Sequence, residues 1–361
     1  MRKVRWFGGG LSLAALLGLV NAACLSYRPQ LQVLPEGVEA IPLAQRWSAS
    51  VGRGASGAVA LRDSTIYVGD ADRRVYAIDL TTGAERWSKR LPGSVFGGVV
   101  RSGDTLFAVT DRPNSRVVAL SIVDGEQLWE RDVGKPSAPI TLENGRILVA
   151  THRGRLFGLE SSTGTVAWER RVGHARTTAV RIGPDTVVIA TTDSIMSLTA
   201  REGQVLKRIG SPGAIVGGWA RSGTLLVAGT TDSLLVGLTS SELETAWSLK
   251  LDAAILERPA VYGDTAYVVS RSGTLYRVVL GPDPRAMVIA ALHWPVTAPP
   301  VRFRQWVLVG GADGVIRAID DAGLEAWRLP VWQPVRMSPV VLSDGILAIG
   351  GRGDISRYQQ E

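Results

Sequence analysis

Residues 75–87, VYAIDLTTGAERW, decide the fold. Val75, Ala77 and Asp79 alternate with Tyr76, Ile78 and Leu80, a period of two that marks a strand. Thr81, Thr82 and Gly83 are turn residues, and Gly83 can take the positive φ that closes such a turn. The chain then returns through Ala84 to Trp87, which brings a large apolar side chain to the end of the hairpin.

The hairpin recurs. Residues 117–129 end in DGEQLW, 156–168 in TGTVAW and 316–327 in AGLEAW. In each, a Gly stands four places before a Trp: Gly83 and Trp87, Gly125 and Trp129, Gly164 and Trp168, Gly323 and Trp327. Residues 195–207 keep Gly203 but end in Lys207. Residues 234–247 keep Trp247 but place Leu243 where the Gly belongs. Trp47 extends the series backward and Met287 fills the remaining gap, so the anchors 47, 87, 129, 168, 207, 247, 287 and 327 are spaced 39 to 42 residues apart. A fixed period near forty with strand-rich units predicts an all-β, eight-bladed β-propeller with four antiparallel strands per blade. Trp47, Trp87, Trp129, Trp168, Trp247 and Trp327 are then structural anchors that seal the gaps between blades. Lys207 and Met287 are expected to lay their flexible stems over the same apolar groove.

Within the first unit, residues 58–61, 65–69, 75–80 and 84–87 read as the four strands. The unit over 262–294 is irregular, because Gly281-Pro282-Asp283-Pro284 interrupts its last hairpin and predicts a longer exposed loop. Trp47 has no strands before it in its own unit, and residues 338–358 supply strands with no closing Trp. The N-terminal strand is therefore expected to join the C-terminal strands in one blade, closing the ring and removing its open edges.

Ahead of the propeller, predicted over 44–361, lie two other segments. Arg2, Lys3 and Arg5 precede an apolar run over 6–20, and Asn21, Ala22 and Ala23 lead to Cys24, the one cysteine of the chain. This reads as a signal peptide over 1–24, its apolar run short for a membrane-spanning helix. Residues 25–43 contain Pro29, Pro35 and Pro42 and read as a semi-rigid tether. The formal charge of +7 falls to about +4 without the leader's three cations, too mild to argue for nucleic acid. A single cysteine excludes an intrachain disulfide.

The A-x-D-x-x-T-G-x-x-x-W hairpin, here Ala77, Asp79, Thr82, Gly83 and Trp87, resembles the pyrroloquinoline-quinone (PQQ)-like propeller repeat, and the likeness runs over 44–361. Ala23-Cys24 resembles a lipobox, with Asn21 departing from the usual aliphatic residue. Lipidation of Cys24, followed by Leu25 rather than Asp, would imply sorting to the outer membrane. Export signal, candidate anchor, tether and eight bare blades together look most like the BamB family, accessory lipoproteins of outer-membrane β-barrel assembly. That resemblance implies a non-enzymatic periplasmic scaffold, monomeric, with no cofactor, that docks on a BamA-like partner. It further places Arg176 near an inter-blade arginine the family uses for that contact, although the family's flanking leucines are absent here.

Around Arg176, residues 170–177 gather Arg170, Arg171, His174 and Arg176, so Arg171, His174 and Arg176 are partner-binding candidates against the plainer reading of a solvated basic loop. Trp332 and Arg336 form a second candidate pair, since exposed Trp and Arg anchor interfaces. Trp219, Trp294 and Trp306 also lie off the repeat frame, and the strand positions of Trp219 and Trp306 suit the core. His152, His174 and His293 are not paired at metal-ligand spacing. Asp79, Asp320 and Asp321 are expected to cap turn N–H groups. No catalytic constellation stands out. Two other readings stay open: a PQQ-dependent dehydrogenase, and a secreted or cell-surface propeller that binds glycans or another polymer through its tryptophans.

Overall fold

The computed structural model describes residues 43–55 and 57–360. The expected leader, Cys24 and the tether up to residue 42 lie outside the described residues. Every regular element among them is a β-strand. Blade 1 consists of strands Ala60–Arg62, Thr65–Gly69, Arg74–Asp79 and Glu85–Arg90, paired in that order. Blades 2 to 7 repeat this arrangement over residues 93–132, 141–171, 180–210, 220–250, 260–291 and 301–330. Blade 8 is composite. Strands Val340–Leu342, Gly345–Ile349 and Asp354–Gln360 take Leu43–Ser50 as their outer strand, in antiparallel register with Ser48 opposite Ser356. The chain is an eight-bladed β-propeller closed by its own two ends.

Central strands are buried on both faces, which is why they read as apolar runs with β-branched residues rather than strict alternation. The pleat then divides each strand between two neighbours. Ile66, Val68 and Ile78 pack with Trp47, Leu347 and Ile355 between blades 8 and 1. Tyr67, Val75 and Ala77 pack with Val99, Leu106 and Ala108 between blades 1 and 2. The same division repeats around the ring, so the apolar core is a set of clusters, each spanning two successive blades. Burying one such Ile is worth about 1.5–3 kcal/mol.

The anchors connect blades through the glycine turn of the next blade. Trp47 donates its indole N–H to the Leu80 carbonyl at 2.9 Å, and a Cβ placed on Gly83 would stand 2.7 Å from the Trp47 ring. Trp87 bonds the Ile122 carbonyl at 3.0 Å over Gly125, Trp129 bonds Ser161 at 3.0 Å over Gly164, and Trp168 bonds Ala200 at 3.0 Å over Gly203. The hairpins of blades 1 to 3 thus receive the preceding blade's Trp on their Gly and send their own Trp forward, while that of blade 4 receives Trp168 and ends in Lys207. Gly83 has φ +76°, so the turn needs Gly twice, for its left-handed backbone and for the ring that lies on it.

The degenerate units depart from the expected pattern. Met287 does not cover the groove: it is 51% exposed, and the Ile289 carbonyl approaches Gly323 instead. Lys207 does not fill its groove either. Leu243 does, buried at φ +49°, while the Lys207 ammonium reaches out to Glu244 at 3.7 Å. The Gly281–Pro284 loop is not longer than the others, since Val279 and Arg285 flank it as Asp79 and Glu85 flank the first turn. Its prolines sit outside the ladder, where no N–H is needed. Without a left-handed residue there, Trp247 is buried with an unpaired indole N–H.

Candidate functional site

The strands end on two faces built from different loops. On one face the Gly-bearing turn is tied to the first turn of its blade, as in Leu80 N–H to Ser64 O at 2.7 Å. On the other, the turn between the central strands meets the crossover to the next blade. The crossover from blade 3 to blade 4 is pinned on both sides. Val172 N–H bonds Gly154 O of blade 3 at 2.9 Å, and Ala175 then bridges Thr191 of blade 4. The pattern recurs at Leu251 with Ser233 and at Val331 with Gly314. Short crossovers held this way present side chains from a fixed backbone, the arrangement that suits binding loops on a rigid scaffold.

The crossover over 170–177 alternates. Val172, Ala175 and Thr177 are buried, whereas Arg171, His174 and Arg176 are exposed. The His174 carbonyl accepts Thr192 N–H at 3.1 Å and Thr177 Oγ accepts Ala190 N–H at 3.4 Å. Among the described residues no acid pairs with Arg171, His174 or Arg176 within 4.0 Å. Arg170 is different. It folds back to bond the Gly203 and Glu202 carbonyls at 3.0 and 3.1 Å and belongs to the blade contact.

Trp332 and Arg336 occupy the crossover from blade 7 to blade 8, on the same face. Trp332 is 53% exposed at φ +64°, and Val331 and Val335 are buried on either side of it. Gln333 fixes the loop by donating to Asp354 and accepting Arg352 N–H. The two candidate sets are four seams apart in a ring of eight, so the fold places them on one face but across it. Trp219 is core, and Trp306 packs edge-on to Trp327 at 5.7 Å. Trp294 lies under the Arg317 guanidinium at 3.9 Å, and Arg317 is itself buried and paired with Asp313 at 2.6 Å.

Asp79 accepts Thr81 and Thr82 N–H at 2.8 Å, and Asp320 accepts Ala322 and Leu324 N–H at 2.9 and 2.8 Å, both as turn caps. Asp321 does not cap. Its carboxylate accepts the Tyr267 hydroxyl at 2.8 Å and faces Arg302 at 3.7 Å, because the turn already uses Asp320 and turns Asp321 toward blade 6. Bonds to Arg86 and to the turn N–H groups hold the Asp79 carboxyl well below the usual range. A cleft of about 640 Å³ is lined by Glu257, Arg271, His293 and Trp294, and burial pushes the Glu257 carboxyl up. Among the described residues no three His, Cys, Asp or Glu side chains converge to hold a metal ion.

Sequence reading missed Arg317, whose partners come from three separate strands or turns. It also missed a cluster of four arginines between blades 1 and 2. Arg73 and Arg74 are adjacent in sequence, but Arg90 and Arg112 join them only in the fold.

Residues 44–190 match the family model described as "Outer membrane protein assembly factor BamB". The matched span holds the anchors whose contacts are complete. A curated relative of that name from Burkholderia pseudomallei (strain K96243) is 30% identical over 178 residues, 47% of this chain and 45% of its own length. The chain thus spans less than half of that relative. A quinoprotein ethanol dehydrogenase from Pseudomonas putida is 29% identical over 34% of this chain and 22% of its own length. The crystal structure of BamB from Moraxella catarrhalis superimposes with a TM-score of 0.76 at 17% identity, over 88% of this chain and 99% of that one, a likeness of fold. Taken with the repeat and the closed ring, these matches identify the chain as a β-propeller of PQQ-like repeats that resembles the outer membrane protein assembly factor BamB.

Proposed function

We propose that the protein is a non-enzymatic periplasmic scaffold of outer-membrane β-barrel assembly, held to the outer membrane through a lipid on Cys24 and a tether over residues 25–43. Its partner is a BamA-like barrel-inserting protein. The observation that carries this reading is the crossover over 170–177, where Arg171, His174 and Arg176 stand exposed and unpaired on a loop pinned to two blades. A loop backbone already held in place loses little freedom on docking, and unpaired cations suit an acidic partner surface. Trp332 and Arg336 supply a second contact across the same face.

The dehydrogenase reading is less well supported. A PQQ cofactor and its divalent metal need a convergent set of acid and amide ligands. Among the described residues no three His, Cys, Asp or Glu side chains converge to hold a metal ion. Binding of a glycan or other polymer has Trp332 as its support among the off-frame tryptophans, the other three being engaged in packing.

The test is co-purification from detergent-solubilised membranes of the wild type, Arg176→Glu and Cys24→Ala. The expected result is that the barrel-inserting protein co-purifies with the wild type and is lost with Arg176→Glu, and that Cys24→Ala leaves the membrane fraction. Equal recovery with Arg176→Glu moves the contact to another loop. Recovery of no barrel-assembly component overturns the reading.

A further inference from the structure

Between blades 1 and 2, on the crossover face, a cleft of about 780 Å³ is lined by Arg73, Arg74, Arg90 and Arg112, with Asp72, Tyr76 and Ser94 among the other lining residues. Arg73 and Arg74 come from the turn and central strand of blade 1, Arg90 ends its outer strand, and Arg112 comes from the long hairpin of blade 2. Four guanidinium groups against one lining carboxylate leave the cleft with a formal charge of +3.

These cations are only partly neutralised by the protein. Arg74 and Arg90 are directly opposite one another in the ladder, an arrangement in which like charges repel. Blade 3 has the same pairing, Arg155 opposite Arg171, but there Glu169 lies 3.0 Å from Arg155. In blade 1 the Arg74 guanidinium bonds the neutral Ser88 hydroxyl at 3.3 Å. Arg112 faces Asp111 at 3.8 Å, and among the described residues no acid lies within 4.0 Å of Arg73 or Arg90. Asp70 lies beneath the cleft but is engaged, accepting Arg74 N–H at 2.7 Å and the Tyr76 hydroxyl at 3.3 Å. Burial pushes its carboxyl up, which lessens its negative charge near the acid end of the pH range.

We propose that this cleft is a binding site for a multiply charged phosphate group, held by the Arg73, Arg74, Arg90 and Arg112 guanidinium forks. Guanidinium matches phosphate oxygens in bidentate geometry, and the bonds are charge-assisted. A bound phosphate would also relieve the Arg74–Arg90 repulsion. The site lies on other blades than the 170–177 loop and does not depend on the assembly-factor reading. The phosphate can belong to a lipid headgroup or to a soluble ligand, and the two sources differ in what the protein then binds.

The experiment is calorimetric titration of the full chain with inorganic pyrophosphate at about 0.15 M salt, where diffuse surface charge is screened. Flotation with phosphatidylglycerol vesicles, against phosphatidylcholine vesicles, runs beside it. The variants are Arg73→Ala/Arg112→Ala and, as a charge-matched control on the same face, Arg153→Ala/Arg352→Ala, two exposed arginines in the central turns of blades 3 and 8. The expected result is saturable 1:1 pyrophosphate binding, weakened at least about tenfold by the first pair, since each lost charge-assisted bond is worth a factor of about ten or more, and unchanged by the second. Vesicle binding lost in step with the first pair assigns a lipid source; pyrophosphate binding alone assigns a soluble one. Absence of saturable binding to either probe overturns the proposal, as does equal weakening by both pairs, which would indicate a diffuse basic surface. Binding of polyglutamate in place of both phosphate probes overturns the phosphate assignment.

Discussion

Trp47 and Gly83 are in van der Waals contact across the closing seam of the ring: the indole lies on the glycine and its N–H is bonded 2.9 Å from the Leu80 carbonyl. Gly83→Ala would put a methyl group into the ring at a backbone φ of +76°. The expected loss is about 3 kcal/mol, from overpacking plus the left-handed backbone. Gly103 is the comparison, with φ +53° and nothing within 4 Å of a Cβ, and Gly103→Ala should cost about 1 kcal/mol. Urea denaturation of both variants measures the difference. Equal losses would mean that backbone strain alone requires the glycine.

Leu243 fills the place that a Trp from blade 4 would need, and Lys207 stands where that Trp would be. Lys207→Trp alone should destabilise by overpacking, and Leu243→Gly alone by leaving a cavity. Together they should restore the contact seen at Trp47 and Gly83, with a favourable coupling of about 1–3 kcal/mol in a double-mutant cycle. Additive effects would show that the neighbouring backbone of blade 5 differs too much to accept the ring.

Glu257 has its carboxyl raised by burial. A raised folded pKa means that the folded state holds its proton more tightly than the unfolded chain. Wild-type stability therefore falls as pH rises through the window that begins near 4.5, the ordinary glutamate value. Glu257→Gln removes the titrating charge. It should raise stability at pH 7 and leave it nearly unchanged at pH 4, as read from denaturation midpoints at the two values. A variant that is destabilised at pH 7 would show that an ionised Glu257 has a favourable partner.

The composite blade 8 makes a separate prediction. Removing residues 1–50 strips the outer strand from Asp354–Gln360 and takes Trp47 out of the seam to blade 1. Loss of the Trp alone is worth about 3–5 kcal/mol. The exposed edge is a template for pairing with another chain. The shortened chain should melt less cooperatively and self-associate with rising concentration in sedimentation velocity. A monomeric, cooperatively melting product would mean that seven full blades close without it.

The repeat was legible because apolar periodicity and turn chemistry are local. Trp87, Gly83 and Asp79 declare themselves within thirteen residues, and strand ends fall close to those read from the first unit. The composite blade was legible from what each end lacked. The double role of Gly83 was not, because the ring that lies on it belongs to a residue of another blade. For the same reason Lys207 and Met287 were misread. Their stems could cover a groove, but whether a groove remains depends on Leu243 and on the path of residues 285–291. Asp321 looked like a cap and became a tertiary ligand of Tyr267. The exposure of Arg171, His174 and Arg176 could be guessed from a polar loop, whereas the gathering of Arg73, Arg90 and Arg112 required the blades to be assembled.

Four consecutive seams, from Trp47 on Gly83 to Trp168 on Gly203, carry the full Trp–Gly contact, and the next four do not. The joints from blade 4 round to blade 8 are held by apolar packing without the indole clasp. Under load these joints are expected to splay before the other four. The loop bearing Arg176 crosses the last of the four complete seams, and the loop bearing Trp332 crosses the last of the four incomplete ones. The distance between these two loops is therefore set largely by joints that lack the indole clasp.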